Sequence, residues 1–117
     1  MVKRINGRTS RPYVQRTEPF KNSNGQLYAE WYGKPNDVED SLSRYVVYSY
    51  GVHWPLFVYV PSVGLWFENT DRHSVTTSKH RSQTHPHCDT VPLTLDRMKL
   101  LARLGYMSMA NDRLING

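Results

Sequence analysis

The stretch that most constrains this chain is Arg44-Tyr45-Val46-Val47-Tyr48-Ser49-Tyr50, in which five of seven residues are Tyr or Val. β-Branched and aromatic side chains fit a pleated, half-buried surface, so the run reads as a strand. Val46, Tyr48 and Tyr50 fall on one face and Tyr45, Val47 and Ser49 on the other. Both faces are largely apolar, which predicts a central strand. Gly51 ends the run, and Pro55 opens a second one, Leu56-Phe57-Val58-Tyr59-Val60, where a missing N–H is tolerated. Pro61-Ser62-Val63-Gly64 links it to a third, Leu65-Trp66-Phe67-Glu68. Residues 44–68 are therefore predicted to form a three-stranded meander.

The rest is read around that sheet. Leu27-Tyr28-Ala29-Glu30-Trp31-Tyr32 is a further candidate strand, closed by the turn Gly33-Lys34-Pro35-Asn36. Asp37-Val38-Glu39-Asp40-Ser41-Leu42 reads as a short helical turn. Thr94 to Leu104 is the one clear helix: Leu95, Met98, Leu101 and Ala102 share a face, Thr94 is a fitting N-cap and Gly105 a natural stop. Arg97, Lys99 and Arg103 project elsewhere. Residues 106–115 read as either a second helical turn or a short strand. The fold class is α+β: a small antiparallel sheet of three to four strands, covered on one face by one C-terminal helix.

At 117 residues the chain is sized for one domain, assigned here to residues 27–117. Residues 1–26 read as an irregular basic N-terminal arm: Lys3, Arg4, Arg8, Arg11 and Arg16 precede the first acid, Glu18, and Pro12 and Pro19 interrupt helix. Net charge is +5 and the isoelectric point is near 9.5, a balance that favours polyanionic partners without naming one. No 18-residue apolar run is present, so no membrane partner is expected. The basic start lacks the apolar segment of a secretory signal, and the single Cys88 rules out an internal disulfide. These point to a reducing cytoplasm.

Residues 72–88 differ in kind. They contain three Arg or Lys (Arg72, Lys79, Arg81), four His (His73, His80, His85, His87), a run of Ser and Thr, and no acid. The segment reads as a long functional loop. Hydroxyls, cations and backbone N–H groups are what phosphate oxygens bind. The candidate anion or nucleic-acid contacts are Arg72, Ser74, Thr76, Thr77, Ser78, Lys79, His80, Arg81 and Gln83, with Tyr50, His53 and Trp54 from the neighbouring turn. Tyr50 or Trp54 would stack a base. The same polar residues also suit capping within an ordered loop. His85, His87 and Cys88 hint at zinc ligation, but with one Cys and no CxxC pair the spacing matches no known finger, and neither metal nor cofactor is expected. A hydrolase assembled from His53, Asp71, His73 and His80 is a further possibility, with no nucleophile-elbow motif to support it.

The runs Tyr48-Ser49-Tyr50-Gly51-Val52-His53-Trp54-Pro55-Leu56, Trp66-Phe67-Glu68-Asn69-Thr70-Asp71-Arg72 and Ser74-Val75-Thr76-Thr77-Ser78-Lys79-His80-Arg81-Ser82-Gln83 together resemble a family of small uncharacterised bacteriophage and mobile-element proteins. The shared pattern reads YSYGxH[WF]P, then a strand, then [ND]xDxxSxTTSxHxSQ, and spans residues 44–86. It singles out Tyr50, Gly51, His53, Asp71, Ser74, Thr76, Thr77, Ser78, His80, Ser82 and Gln83. The resemblance implies a phage origin and expression in bacterial host cytoplasm; it carries no established activity. The expected function is that of a phage accessory protein, more readily a non-enzyme, that binds nucleic acid or another polyanion through residues 72–88. The alternatives are a host-takeover or anti-defence inhibitor, or virion component, that binds a host or phage protein, and a small hydrolase or nuclease.

Overall fold

A computed structural model describes residues 3–6, 9–23, 25–71 and 75–106. Its strands are β1 (Lys3–Ile5), β2 (Phe20–Asn22), β3 (Leu27–Tyr32), β4 (Arg44–Ser49), β5 (Pro55–Val60), β6 (Leu65–Asn69) and β7 (Val91–Leu93). Its helices are α1 (Arg11–Gln15), α2 (Val75–Thr84) and α3 (Leu95–Leu104). The seven strands form one mixed sheet in sequence order. β2 to β6 run antiparallel, while β1 pairs parallel with β2 and β7 parallel with β6. Parallel neighbours need a crossover, and α1 and α2 provide the two.

The meander read from residues 44–68 is present as β4–β5–β6, and β4 is central, with all six of its residues buried. Its two faces feed two cores. Val46 and Tyr48 join Val58, Val60 and Phe67 beneath Met98, Leu101 and Ala102 of α3. Tyr45 and Val47 join Phe20, Leu27, Ala29 and Phe57, with Val14 of α1 packed on them. Each fully buried Val, Leu or Phe of these cores contributes roughly 1.5–3 kcal/mol.

The α+β class stands, and three details of the expected architecture are corrected. The sheet has seven strands rather than three or four and is not purely antiparallel. β1, β2 and β7 are three residues each, too short to show an alternation. Both faces are covered, because residues 72–88 are not one long loop: they contain the ten-residue α2. Residues 1–26 are not a free arm. Lys3–Ile5 and Phe20–Asn22 extend the sheet, and Pro12 sits in the first turn of α1, where its missing N–H costs nothing. The intervening segment is fastened down as well: Trp31 Nε1 donates to the Thr17 carbonyl at 2.8 Å, and the Tyr45 hydroxyl to that of Glu18 at 2.7 Å. Residues 107–115 lie outside the described part of the chain, so the two readings of the 106–115 segment concern residues of which only Tyr106 is described. No helix among the described residues is long and apolar enough to cross a membrane.

α3 is held at both ends by residues far from it in sequence. Thr94 occupies the N-cap position, but its side chain makes no capping bond. Asp71 Oδ2 accepts from the Leu95 N–H instead, at 2.9 Å, which puts a carboxylate at the positive end of the helix dipole. At the other end Arg44 donates to the carbonyls of Ala102 (2.7 Å) and Arg103 (2.9 Å). Gly105 follows at φ +92°, where a Cβ would come within 2.8 Å of Leu42 Cδ2 and 3.3 Å of Leu42 Cα. Only glycine fits that exit.

Candidate nucleic-acid interface

α3 lies over β5 and β6, and its flank borders an open groove of about 620 Å³ at the β3–β4 side of the same sheet face. Tyr48 of β4 and Tyr32 of β3 line its floor, and Val52 and His53 of the β4–β5 turn, with Arg44, complete its lining. The wall is a helical stripe at i, i+3, i+4 and i+7: Asp96, Lys99, Leu100 and Arg103. Among the described residues, neither Lys99 nor Arg103 is in an ion pair.

The floor is wired by hydrogen bonds. The Tyr32 hydroxyl donates to Glu30 Oε1 at 2.5 Å and lies 2.9 Å from the Tyr48 hydroxyl, which therefore donates to it. Burial pushes the Tyr48 phenol up to about 12, and burial followed by the Glu30 hydrogen bond pushes Tyr32 well above its usual value. Both are neutral hydroxyls at physiological pH. The Arg44 guanidinium sits 4.9 Å from the centre of the Tyr32 ring, and its third bond goes to the Leu42 carbonyl at 2.6 Å. Burial pulls Arg44 below its usual value. Arg44 is thus structural, and the cations left to face a ligand are Lys99 and Arg103, with the His53 ring in the same lining.

On the opposite face of the sheet, α2 carries the residues expected to bind anions, and most of them are committed inward. Thr77 and His80 are buried. Ser49 Oγ lies 2.8 Å from His80 Nδ1 and 3.4 Å from Thr77 Oγ1, so a polar cluster, not an apolar stripe, seats the helix on β4. Burial, then the nearby Lys79 charge, lowers the His80 pKa, which keeps the ring neutral. Arg81 pairs with Glu68 at 3.1 Å and also donates to the Asn69 carbonyl. Ser78 and Lys79 are exposed and Gln83 is partly so. Arg72, His73 and Ser74 lie outside the described residues; Thr76 is described only through its place in α2. The C-terminal turn of α2 is capped by an arginine of the N-terminal segment, as Arg11 donates to the carbonyls of Ser82 and His85.

The three turn residues expected to join this cluster separate. Tyr50, at φ +63° and 44% exposed, sets its ring 5.7 Å from His80. Trp54 packs against the core on the α2 side. His53 faces the α3 groove. His53 and His80 therefore lie on opposite sides of the sheet, and Asp71 accepts from the Leu95 N–H, so these three described members of the hydrolase set do not converge. The residues behind the zinc hint make local contacts. His85 Nδ1 accepts from the His87 N–H at 3.0 Å, its Nε2 faces Glu68 at 3.3 Å, and its ring meets Phe57 edge-on. No group of three His, Cys, Asp or Glu among the described residues is placed to hold a metal.

Glu68 is the knot of this region: it takes Arg81, His85 and a 2.7 Å bond from Thr90 Oγ1. Glu68→Ala is expected to lower stability by about 1–2 kcal/mol, the partly exposed ion pairs counting for less than the hydrogen bonds. Urea denaturation checks this, and an unchanged midpoint would mean that the knot is ornamental.

Sequence reasoning missed Glu30, Arg44, Asp96, Lys99 and Arg103. One signal was there: Asp96, Lys99 and Arg103 recur at helical spacing beside the buried stripe. A comparison with family profiles, curated proteins and solved structures finds no match to this chain.

Proposed function

We propose that this chain is a non-enzymatic nucleic-acid-binding protein that takes a single strand along the α3 groove. The observation that carries the reading is the joining of the partly exposed Tyr32 ring, backed by the buried Tyr48, to His53, Lys99 and Arg103 around one open groove. Single-strand binders pair a cationic track for phosphates with ring systems beside the bases. This shifts the anion contacts from the α2 residues, where Arg81 is paired with Glu68 and His80 is buried, to α3 on the other face of the sheet. The setting we propose is a phage accessory protein of the bacterial cytoplasm, on the strength of the YSYGxHWP and DRxSVTTSKHRSQ runs.

The test is a titration of single-stranded oligonucleotides against the wild type and a Lys99→Ala/Arg103→Ala variant over a range of salt. Bound phosphates release about 0.7 counterions each on a single strand. Losing two contacts is therefore expected to weaken binding and make the slope of log K against log salt shallower by roughly 1.4. No binding at low salt, or an unchanged slope in the variant, would overturn the reading.

A further inference from the structure

The floor of the groove also bears on which base it takes. β3 alternates, so Tyr28, Glu30 and Tyr32 share the face that α3 leaves open. Glu30 is joined to the groove through the 2.5 Å bond from Tyr32, and a second depression, lined by Lys21, Tyr28 and Glu30, begins there. A carboxylate has about four acceptor sites, two on each oxygen. Tyr32 fills one site on Oε1, and among the described residues Oε2 receives no hydrogen bond. An acceptor-only group is thus set beside the α3 groove, which carries Asp96, Lys99 and Arg103, and in the second depression with Lys21.

A carboxylate opposes phosphate but accepts hydrogen bonds from a base that presents donors to it. Guanine carries two adjacent donors, N1–H and the N2 amine, which match the two oxygens of one carboxylate. Adenine and cytosine each set a single amine beside an acceptor nitrogen, and thymine sets its one donor between two carbonyls. A carboxylate accepts from those edges once or is repelled. Charge-assisted bidentate pairs are also the stronger ones.

We propose that Glu30 reads a guanine of the bound strand, with the base resting against Tyr28 and Tyr32 and its flanking phosphates taken by Lys99 and Arg103. The inference rests on the nucleic-acid reading above. Its test compares fluorescence anisotropy of a short oligothymidine, the same oligomer with one central guanine, and the same with hypoxanthine, which lacks the N2 amine. The guanine oligomer is expected to bind about five- to a hundredfold tighter than oligothymidine, with hypoxanthine between them. Glu30→Gln keeps an acceptor for Tyr32 but turns a donor toward the base. It is expected to abolish the preference while oligothymidine, relieved of a charge that opposes phosphate, binds somewhat tighter, with an unchanged melting temperature as the control for folding. Equal affinity of wild type for all three oligomers, or a guanine preference that survives Glu30→Gln, would overturn the role of Glu30 and leave the nucleic-acid reading standing. Failure of every oligomer to bind at low salt would overturn both.

Discussion

Replacing Arg44 with alanine is expected to destabilise the fold by about 2–4 kcal/mol. The side chain is only 8% exposed, and its guanidinium donates to the Leu42, Ala102 and Arg103 carbonyls. Three backbone acceptors at a crowded helix end would lose their donor together, and water has little access to replace it. The charge matters separately. A cation at a helix C-terminus is favoured by the dipole, and among the described residues Arg44 forms no ion pair that would offset the cost of burying it. That cost is visible in the lowering of its pKa by burial. Arg44→Lys is expected to recover only part of the loss, since a single ammonium cannot reproduce the planar fork that serves three carbonyls. The same substitution should weaken nucleic-acid binding, because α3 supplies the groove wall. Urea melts of both variants decide the matter: a loss below about 1 kcal/mol for Arg44→Ala would mean that α3 is held by its apolar face alone.

That dependence explains which parts of the molecule were legible in the sequence. β4 to β6 announced themselves because long runs of Val, Tyr and Phe bound by Gly and Pro have few other uses. α3 did so because Met98, Leu101 and Ala102 repeat at helical spacing, and all three are buried. α2 escaped because its buried positions, Thr77, His80 and Thr84, also share one helical face but are polar. A search for apolar periodicity passes over a helix whose underside is made of hydroxyls and an imidazole. The short strands β1 and β2 escaped for another reason: their pairing is set by the crossover through α1 and by the Trp31 and Tyr45 anchors, none of them local. Composition also did not show which charges are committed to structure. A segment rich in Arg, His, Ser and Thr looks free to bind anions, yet Arg81 goes to Glu68, and Arg11 and Arg44 close helix ends. Lys99 and Arg103 were read as projecting away from the apolar face of α3, but nothing local in the sequence says that they border a groove.

Stability is expected to fall as pH drops below about 6.5, with His80 the group responsible. Burial, and then Lys79, lower its pKa in the folded state, so between the unfolded value and the folded one the unfolded chain binds more protons. The contribution of neutral His80 is therefore complete above the unfolded pKa and is lost as pH falls toward the folded pKa. The slope from this one site is at most one proton, about 1.4 kcal/mol per pH unit. Protonation would place a charge beneath α2 beside Ser49, Thr77 and the Tyr50 ring, with no carboxylate bonded to it among the described residues. Because those polar contacts and the Arg11 cap seat α2, the loss should be local before it is global. Amide exchange within 75–84 should quicken at low pH while β4 and β5 stay protected. His80→Gln retains a hydrogen-bonding partner for Ser49 and cannot titrate. The difference between its stability curve and that of the wild type isolates His80 from every other acid and base, and two parallel curves would show that protonation of His80 is not what loosens α2.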